Sequence, residues 1–186
     1  MNTKIHNLSL EGVTGIIFGI LSLFFIYFIN DILNQYLSAS KGVSLLPISF
    51  FQLLLIAICF FFMLFSYILI VFMNKKRKKS NSKKWELNAK QIRRIYLIHL
   101  FFGGIILYYI MVIGVLKLII PASLILYGIA TFLANKFTRG STKILGILFI
   151  FNGILALIFS CYSFILWGVA FGIYHICYGI IYYNSI

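Results

Sequence analysis

Long runs of apolar residues with almost no charge between them constrain this chain more than any other feature. Of its 186 residues, 62% are hydrophobic and only 10% are charged, whereas a soluble domain carries about 25% charged residues. Apolar runs of about 17 to 25 residues match the thickness of a bilayer. The sequence therefore predicts an all-α polytopic transmembrane bundle, with residues 1–186 forming a single integral membrane domain.

The apolar runs predict six membrane-spanning helices arranged in hairpins. Their predicted bounds are 13–33, 46–73, 94–114, 118–134, 144–160 and 164–183. The second run is longer than a bilayer requires, so it is expected to tilt or to project into the cytoplasm. A cleaved signal peptide ending near residues 38–40 is the alternative at the amino end. The apolar run before that site is longer than a usual signal, and polar residues separate the two.

The distribution of lysine and arginine predicts the orientation of the bundle. Residues 74–94 contain ten of the sixteen basic residues, and we interpret them as a cytoplasmic loop between the second and third spans. With six spans, fourteen basic residues fall on one side, which leaves Lys41 and Lys117 on the other. The positive-inside rule then predicts that both termini are cytoplasmic.

The basic loop also predicts a partner for the chain. Clustered basic residues beside a membrane attract anionic phospholipids, at about 1 kcal/mol for each residue near the surface. The residues expected to make this contact are Lys75, Lys76, Arg77, Lys78, Lys79, Lys83 and Lys84. A cytoplasmic protein partner is a further hypothesis for the loop, and nucleic acid is not expected.

Three predicted helices share a pattern in which two glycines stand seven residues apart. The segments are GVTGIIFGIL, GILFIFNGIL and GIYHICYGII, which begin at residues 12, 146 and 172. Seven residues are nearly two turns, so both glycines lie on one face, where bare backbone lets helices approach closely in lipid. The expected packing glycines are Gly12, Gly15, Gly19, Gly146, Gly153, Gly168, Gly172 and Gly179. We expect the first, fifth and sixth helices to pack together; the alternative is a chance pattern.

His175 lies on the glycine face of the sixth helix, so its imidazole is expected to point into the bundle. Folding the fifth and sixth helices together brings Asn152 within about one turn of it in depth. A structural hydrogen bond from His175 to Asn152 or to a backbone carbonyl is one hypothesis. A proton-binding group on a transport path is the other. Gln52 and His99 are the remaining intramembrane polar candidates, expected to form an interhelical hydrogen bond and an interface contact respectively.

The sequence offers little for catalysis, metal binding or a cofactor, and none of the three is predicted. The carboxylates Glu11, Asp31 and Glu86 stand at membrane edges or in a loop, so no pair is spaced for general acid–base work. The histidines and cysteines do not have metal-ligand spacing, and no phosphate-binding loop or nucleophile elbow occurs. We therefore do not expect an enzyme.

The last third of the chain resembles a group of small, uncharacterised bacterial multi-pass membrane proteins. The similar segments are PASLILYG, which begins at residue 121, and FGIYHICYG, which begins at residue 171. The glycine-rich hairpins also look similar to those of the HdeD-type acid-resistance membrane proteins. Both resemblances imply a bacterial inner (plasma) membrane, and neither implies a substrate or a catalytic residue.

These features together predict a non-enzymatic inner-membrane protein with a structural, regulatory or stress-related role. The alternative is a small oligomeric channel or transporter for protons, ions or small solutes. In that alternative His175, Asn152 and Gln52 line the path, and the chain works as an oligomer because it is too short to enclose a wide path alone.

Overall fold

The computed structural model describes residues 12–40, 68, 83–138 and 141–183. Its regular elements in these ranges are helices and no strand occurs among them, so the all-helical prediction is confirmed for this part of the chain. The helices are α1 Val13–Ser40, α2 Lys83–Val112, α3 Ile119–Ala134, α4 Thr142–Ile158, α5 Ser163–Gly168 and α6 His175–Ile181. A π-helical segment, Val169–Tyr174, joins α5 to α6, and the three together form the C-terminal helix, residues 163–181.

Three stretches are long and apolar enough to cross a membrane: Val13–Ile32, Lys90–Ile110 and Ser160–Ile181. The helices α3 and α4 are shorter, with 16 and 17 residues, which corresponds to a length of about 24 to 26 Å. Five of the six predicted spans therefore coincide with apolar helices. The predicted second span, 46–73, lies outside the described residues, except that Ile68 is helical.

The predicted basic loop, 74–94, needs one correction. The second half of this loop is helical, because α2 begins at Lys83. Residues 83–94 are rich in Lys, Glu, Leu, Ala, Gln and Arg, which are strong helix formers. Hydropathy alone predicts a loop here, because polar residues end the apolar run. Those same residues do not end the helix. The first half of the predicted loop lies outside the described residues.

The first helix is also longer than its apolar run, since α1 continues to Ser40. Asp31, which was expected to mark the end of the first span, lies inside the helix. Its carboxylate accepts a hydrogen bond of 3.0 Å from Gln35 one turn later, and such a pair at a spacing of four residues stabilises a helix.

Two short connections join neighbouring helices as antiparallel hairpins. A 3-10 turn over Leu116–Leu118 precedes α3, after Gly114, whose φ of 77° is accessible to glycine at little cost. Pro121 is in the first turn of α3, where its missing N–H removes no helical hydrogen bond. A second 3-10 turn, Ser160–Tyr162, joins α4 to the C-terminal helix. Both turns fall where the predicted spans leave only three residues between neighbours, 115–117 and 161–163.

The first glycine-packed pair is α3 with α4. A methyl group at Gly128 would lie 2.8 Å from the carbonyl oxygen of Gly146, and one at Gly146 would lie 2.7 Å from the carbonyl oxygen of Gly128. Seven residues away along each helix, Gly153 faces Pro121 and Ile125. Only glycine permits such close antiparallel approach, so α3 and α4 are in backbone contact over two turns.

The second glycine-packed pair is α1 with the C-terminal helix. A methyl group at Gly19 would lie 2.6 Å from the carbonyl oxygen of Gly172, and one at Gly179 would lie 2.7 Å from that of Gly12. These contacts join the start of α1 to the end of the chain's last helix, so the pair is antiparallel. A methyl group at Gly168 would lie 3.4 Å from the side chain of Ile26, an ordinary contact distance.

The C-terminal helix packs on both α1 and α4, but the expectation that the first, fifth and sixth helices pack through their glycines needs one correction. Gly146 and Gly153 of the fifth predicted span face α3, the fourth predicted span, and do not face α1. The matching surface on α3 has Pro121 and Gly128 seven residues apart, a spacing that a search for paired glycines misses. Gly15 is buried on α1.

The helix directions place most of the described basic residues at one end of the bundle. α1 and α2 begin at this end, and the loop between α3 and α4 lies there as well. The exposed basic residues at this end are Lys90, Arg93, Arg94, Lys136 and Lys143. Lys117, which stands between α2 and α3, is at the opposite end.

Candidate functional site

Four helices meet around His175, the first residue after the π-helical segment. The side chain is fully buried, with 0% of its surface exposed. Phe18 from α1 and Phe149 from α4 approach it edge-on, with ring centroids 4.8 and 5.4 Å away. Phe171, one turn earlier on the same helix, stacks on it at 6.1 Å. The imidazole therefore lies in an aromatic cage built from three helices.

The fourth helix, α3, supplies the hydrogen-bond partner of the imidazole. The hydroxyl of Tyr127 lies 3.0 Å from Nε2 of His175, and the tautomer of the ring decides which group donates. The Tyr127 ring packs on Phe149 and Phe171 at 4.7 and 4.9 Å, which fixes its position. The contact joins the two glycine-packed pairs, since Tyr127 belongs to one and His175 to the other.

Tyr127 is itself anchored within α3. The Thr131 hydroxyl donates a hydrogen bond of 2.7 Å to the backbone oxygen of Tyr127, and Tyr96 of α2 packs near the tyrosine ring, 6.1 Å between centroids. The sequence reasoning did not select Tyr127. The available signal was its place beside Gly128 on a helix with a small-residue face, but twelve tyrosines in the chain made no one of them distinctive.

The second imidazole nitrogen, Nδ1, is buried and has no hydrogen-bond partner among the described residues. Ala170 and Phe171, about one turn earlier, belong to the π-helical segment, in which the helical turn is wider by one residue.

The expected hydrogen bond between His175 and Asn152 is not formed. Nδ2 of Asn152 donates to the backbone oxygen of Leu166, at 2.6 Å. Phe149, nearly one turn before Asn152 on α4, occupies the position opposite the imidazole. Asn152 lies about one turn nearer the connecting turn than Phe149 does, and there its amide reaches the carbonyl of Leu166 instead of the imidazole.

The structure does not bring the other candidate polar residues to this site. Nδ1 of His99 lies 2.9 Å from the backbone oxygen of Ile95 in its own helix, so its hydrogen bond is local. Gln52 lies outside the described residues, as do the loop lysines and arginine before residue 83. Lys83 and Lys84 are in the first turn of α2.

The chemistry of the cage is that of a dry contact between helices. Every side chain recorded in ring or hydrogen-bond contact with His175 is uncharged. Among the described residues, no group of three or more His, Cys, Asp or Glu could hold a metal ion. Cys161 and Cys177 are exposed free thiols, away from the cage.

No protein-family model, curated protein or solved structure matches this chain. The two resemblances of the C-terminal third therefore gain no support from known proteins, and the functional argument rests on the geometry around His175.

Proposed function

We propose that the chain is a six-span protein of a bacterial inner membrane, with both ends in the cytoplasm, and that it acts without catalysis. Its role is structural, regulatory or stress-related, exercised through a protein partner or through self-association. The observation that carries this proposal is the environment of His175. A fully buried imidazole, closed in by aromatic rings from three helices and hydrogen-bonded to a fourth, is suited to holding helices together.

The energetic scale fits that role. An interhelical hydrogen bond in a membrane protein contributes about 0.6 to 2 kcal/mol, and an aromatic pair adds about 0.5 to 1.5 kcal/mol beyond the area it buries. The cage combines one such hydrogen bond with several ring contacts of His175 and Tyr127. Together they amount to a substantial fraction of the free energy of unfolding of a folded chain, which is about 5 to 15 kcal/mol.

The small oligomeric channel or transporter is the second candidate, and two observations favour it. His175 follows a π-helical segment, which frequently occurs at functional sites. Its Nδ1 has no hydrogen-bond partner among the described residues, which leaves a buried polar atom for a proton or a water molecule. In this candidate a rearrangement of the aromatic cage opens a path past the imidazole.

Flux measurements separate the two candidates. Purified protein in liposomes is assayed for proton and ion flux at about pH 5.5 and about pH 7.5, where an ordinary imidazole changes its charge. The parent is compared with His175→Ala and with empty liposomes. The structural proposal predicts that the parent gives the flux of empty liposomes at both pH values. A pH-dependent flux that is lost in His175→Ala would establish the second candidate.

Thiol labelling tests the six-span topology directly. In a chain whose native cysteines are serine, Lys41→Cys and Lys117→Cys are expected to react with an impermeant reagent added from outside. Lys136→Cys serves as the matched control and should react only after the cytoplasmic face is opened, since Lys136 is exposed at the opposite end of the bundle. Labelling of Lys41→Cys only from the cytoplasm would contradict the topology.

The proposed anionic-lipid partner follows from the basic end of the bundle. Lys90, Arg93, Arg94 and Lys143 are exposed there, in continuation of the predicted lipid-contacting lysines. We expect binding to liposomes with anionic headgroups to weaken when the five basic residues 75–79 are replaced by glutamine. Unchanged retention of anionic lipid after that replacement would remove this partner from the proposal.

A further inference from the structure

One membrane-length helix, α2, is much less covered than the other two. Only 11% of its span is buried, compared with 39% for α1 and 33% for the C-terminal stretch. One face of α2 packs on α3. Ile92 is buried there, and a methyl group at Gly103 would lie 3.4 Å from the side chain of Leu126. The remaining surface of α2 lacks a comparable neighbour among the described residues.

A stripe on that surface has the spacing of a helix-packing face. Its members follow one another at intervals of three, one, three, one and three residues, the pattern of a core-facing stripe. They are Leu97, Leu100, Phe101, Gly104, Ile105 and Tyr108, which line a shallow groove. Gly104, in the middle of the groove, has open space where a side chain would be. A glycine there costs about 1 kcal/mol relative to alanine, and nothing on α2 itself requires it.

The described helices also fix where the chain leaves the bundle and where it returns. α1 is antiparallel to the C-terminal helix, and the C-terminal helix is antiparallel to α4. Hairpins make α4 antiparallel to α3, and α3 antiparallel to α2. α1 and α2 are therefore parallel. Ser40, at the end of α1, and Lys83, at the start of α2, consequently lie at opposite ends of the bundle, and residues 41–82 must traverse its length.

We infer that residues 46–73 of this chain pack antiparallel on the stripe of α2 and cover its groove. This inference rests on the proposed six-span topology. The segment holds 28 residues without a charge, enough for one crossing of a bilayer. Only residues 74–82 separate it from the start of α2, and a connection of that length favours neighbours in space.

The antiparallel arrangement fixes an approximate register. If Met73 and Lys90 mark the same membrane surface, counting fourteen residues inward along each helix brings Cys59 to the depth of Gly104. Gly104 is the point of the stripe where a neighbouring helix could approach most closely. The inferred register therefore makes Cys59 the native residue to test against Gly104.

Disulfide trapping in native membranes tests this inference. Cys161 and Cys177 are replaced by serine, a specific protease site is inserted at Asn81, and Gly104→Cys is introduced. After oxidation and cleavage, the two fragments should stay joined on a gel until reduced, because a disulfide needs Cβ atoms about 3.5 to 4.5 Å apart. Phe101→Cys and Tyr108→Cys cover a register shift of one turn in either direction.

The control is the adjacent residue, Gly103→Cys, which faces α3 and should give many-fold less cross-linked product. A disulfide-linked dimer of whole chains would instead identify a second copy as the occupant of the groove and overturn the inference. If the fragments separate for all three stripe variants, the inference is overturned and lipid covers the groove. The outside labelling of Lys41→Cys shows in either case whether the six-span topology itself stands.

Discussion

The two glycine-packed pairs use the same contact in different settings. In α3–α4, a short loop separates the partners, and Gly128 meets the backbone of Gly146 and the side chain of Ile150. In α1 and the C-terminal helix, the partners are at opposite ends of the described chain, yet Gly19 meets the backbone of Gly172 and the side chain of Ile176 in the same way. Glycine spacing thus identifies a close-packing face without identifying its partner.

The pairs differ at the π-helical segment. In α3–α4 each contact glycine meets backbone of the facing helix, whereas Gly172 lies inside the π segment and meets the side chain of Leu23. A side chain can move and a backbone cannot. The second pair therefore has a contact that can adjust. Gly172, which makes it, is two residues from the end of the π segment, and His175 follows that end directly.

The largest expected effect is on the rigid contact of α3–α4. Gly146→Leu places a side chain within 2.9 Å or less of Gly128 and Phe132, so the helices must separate. We expect a loss of more than about 3 kcal/mol, at or beyond the upper end for overpacking. Unfolding in mixed micelles, followed by helicity, measures it. Ile147→Leu at the adjacent exposed position is the control, and equal losses would break the comparison.

A smaller effect should separate the two kinds of contact in the second pair. Gly19→Ala and Gly172→Ala are each expected to cost about 1 to 3 kcal/mol. Adding Leu23→Ala should restore Gly172→Ala, because the methyl group then replaces the leucine atoms that it displaced. The same addition should not restore Gly19→Ala, which meets the Gly172 carbonyl oxygen. Rescue of both variants would show that the two contacts do not differ.

The hydrogen bond from Asn152 also joins the two pairs, and its loss should cost about 1 to 2 kcal/mol. Asn152→Leu keeps the approximate volume and leaves the backbone oxygen of Leu166 without its donor. The free energy of unfolding is again the measurement. Ser163→Ala, which removes an exposed hydrogen bond to Ser160, is the control and should change it by a few tenths of a kcal/mol at most.

The smallest effect is expected at Thr14, on the α1 side of the second pair. Its side chain is fully buried, and its hydroxyl has no partner among the described residues. Thr14→Val removes that uncompensated group, so stability should stay constant or rise by about 1 kcal/mol. A clear loss of stability on unfolding would mean that the hydroxyl makes a hydrogen bond in the membrane.

Much of the fold follows from hydropathy, which predicts five of the helices and both tight turns. It does not predict where a polar helix ends, so α2 begins eleven residues before its predicted span. The inward direction of His175 also followed from the sequence, because a helical face is fixed by spacing alone. Its partner did not follow, since equal depth does not fix which groups meet: the Asn152 amide bonds Leu166, and Tyr127 of another helix reaches the imidazole.

The central claim is that His175 and Tyr127 hold the two glycine-packed pairs together, and a double-mutant cycle tests it most directly. Tyr127→Phe and His175→Phe each remove the hydrogen bond while keeping an aromatic ring in the cage. The account predicts that the double variant loses less stability than the two single losses combined, by about 0.6 to 2 kcal/mol. Losses that simply add would show that the two residues do not interact, and would contradict the account.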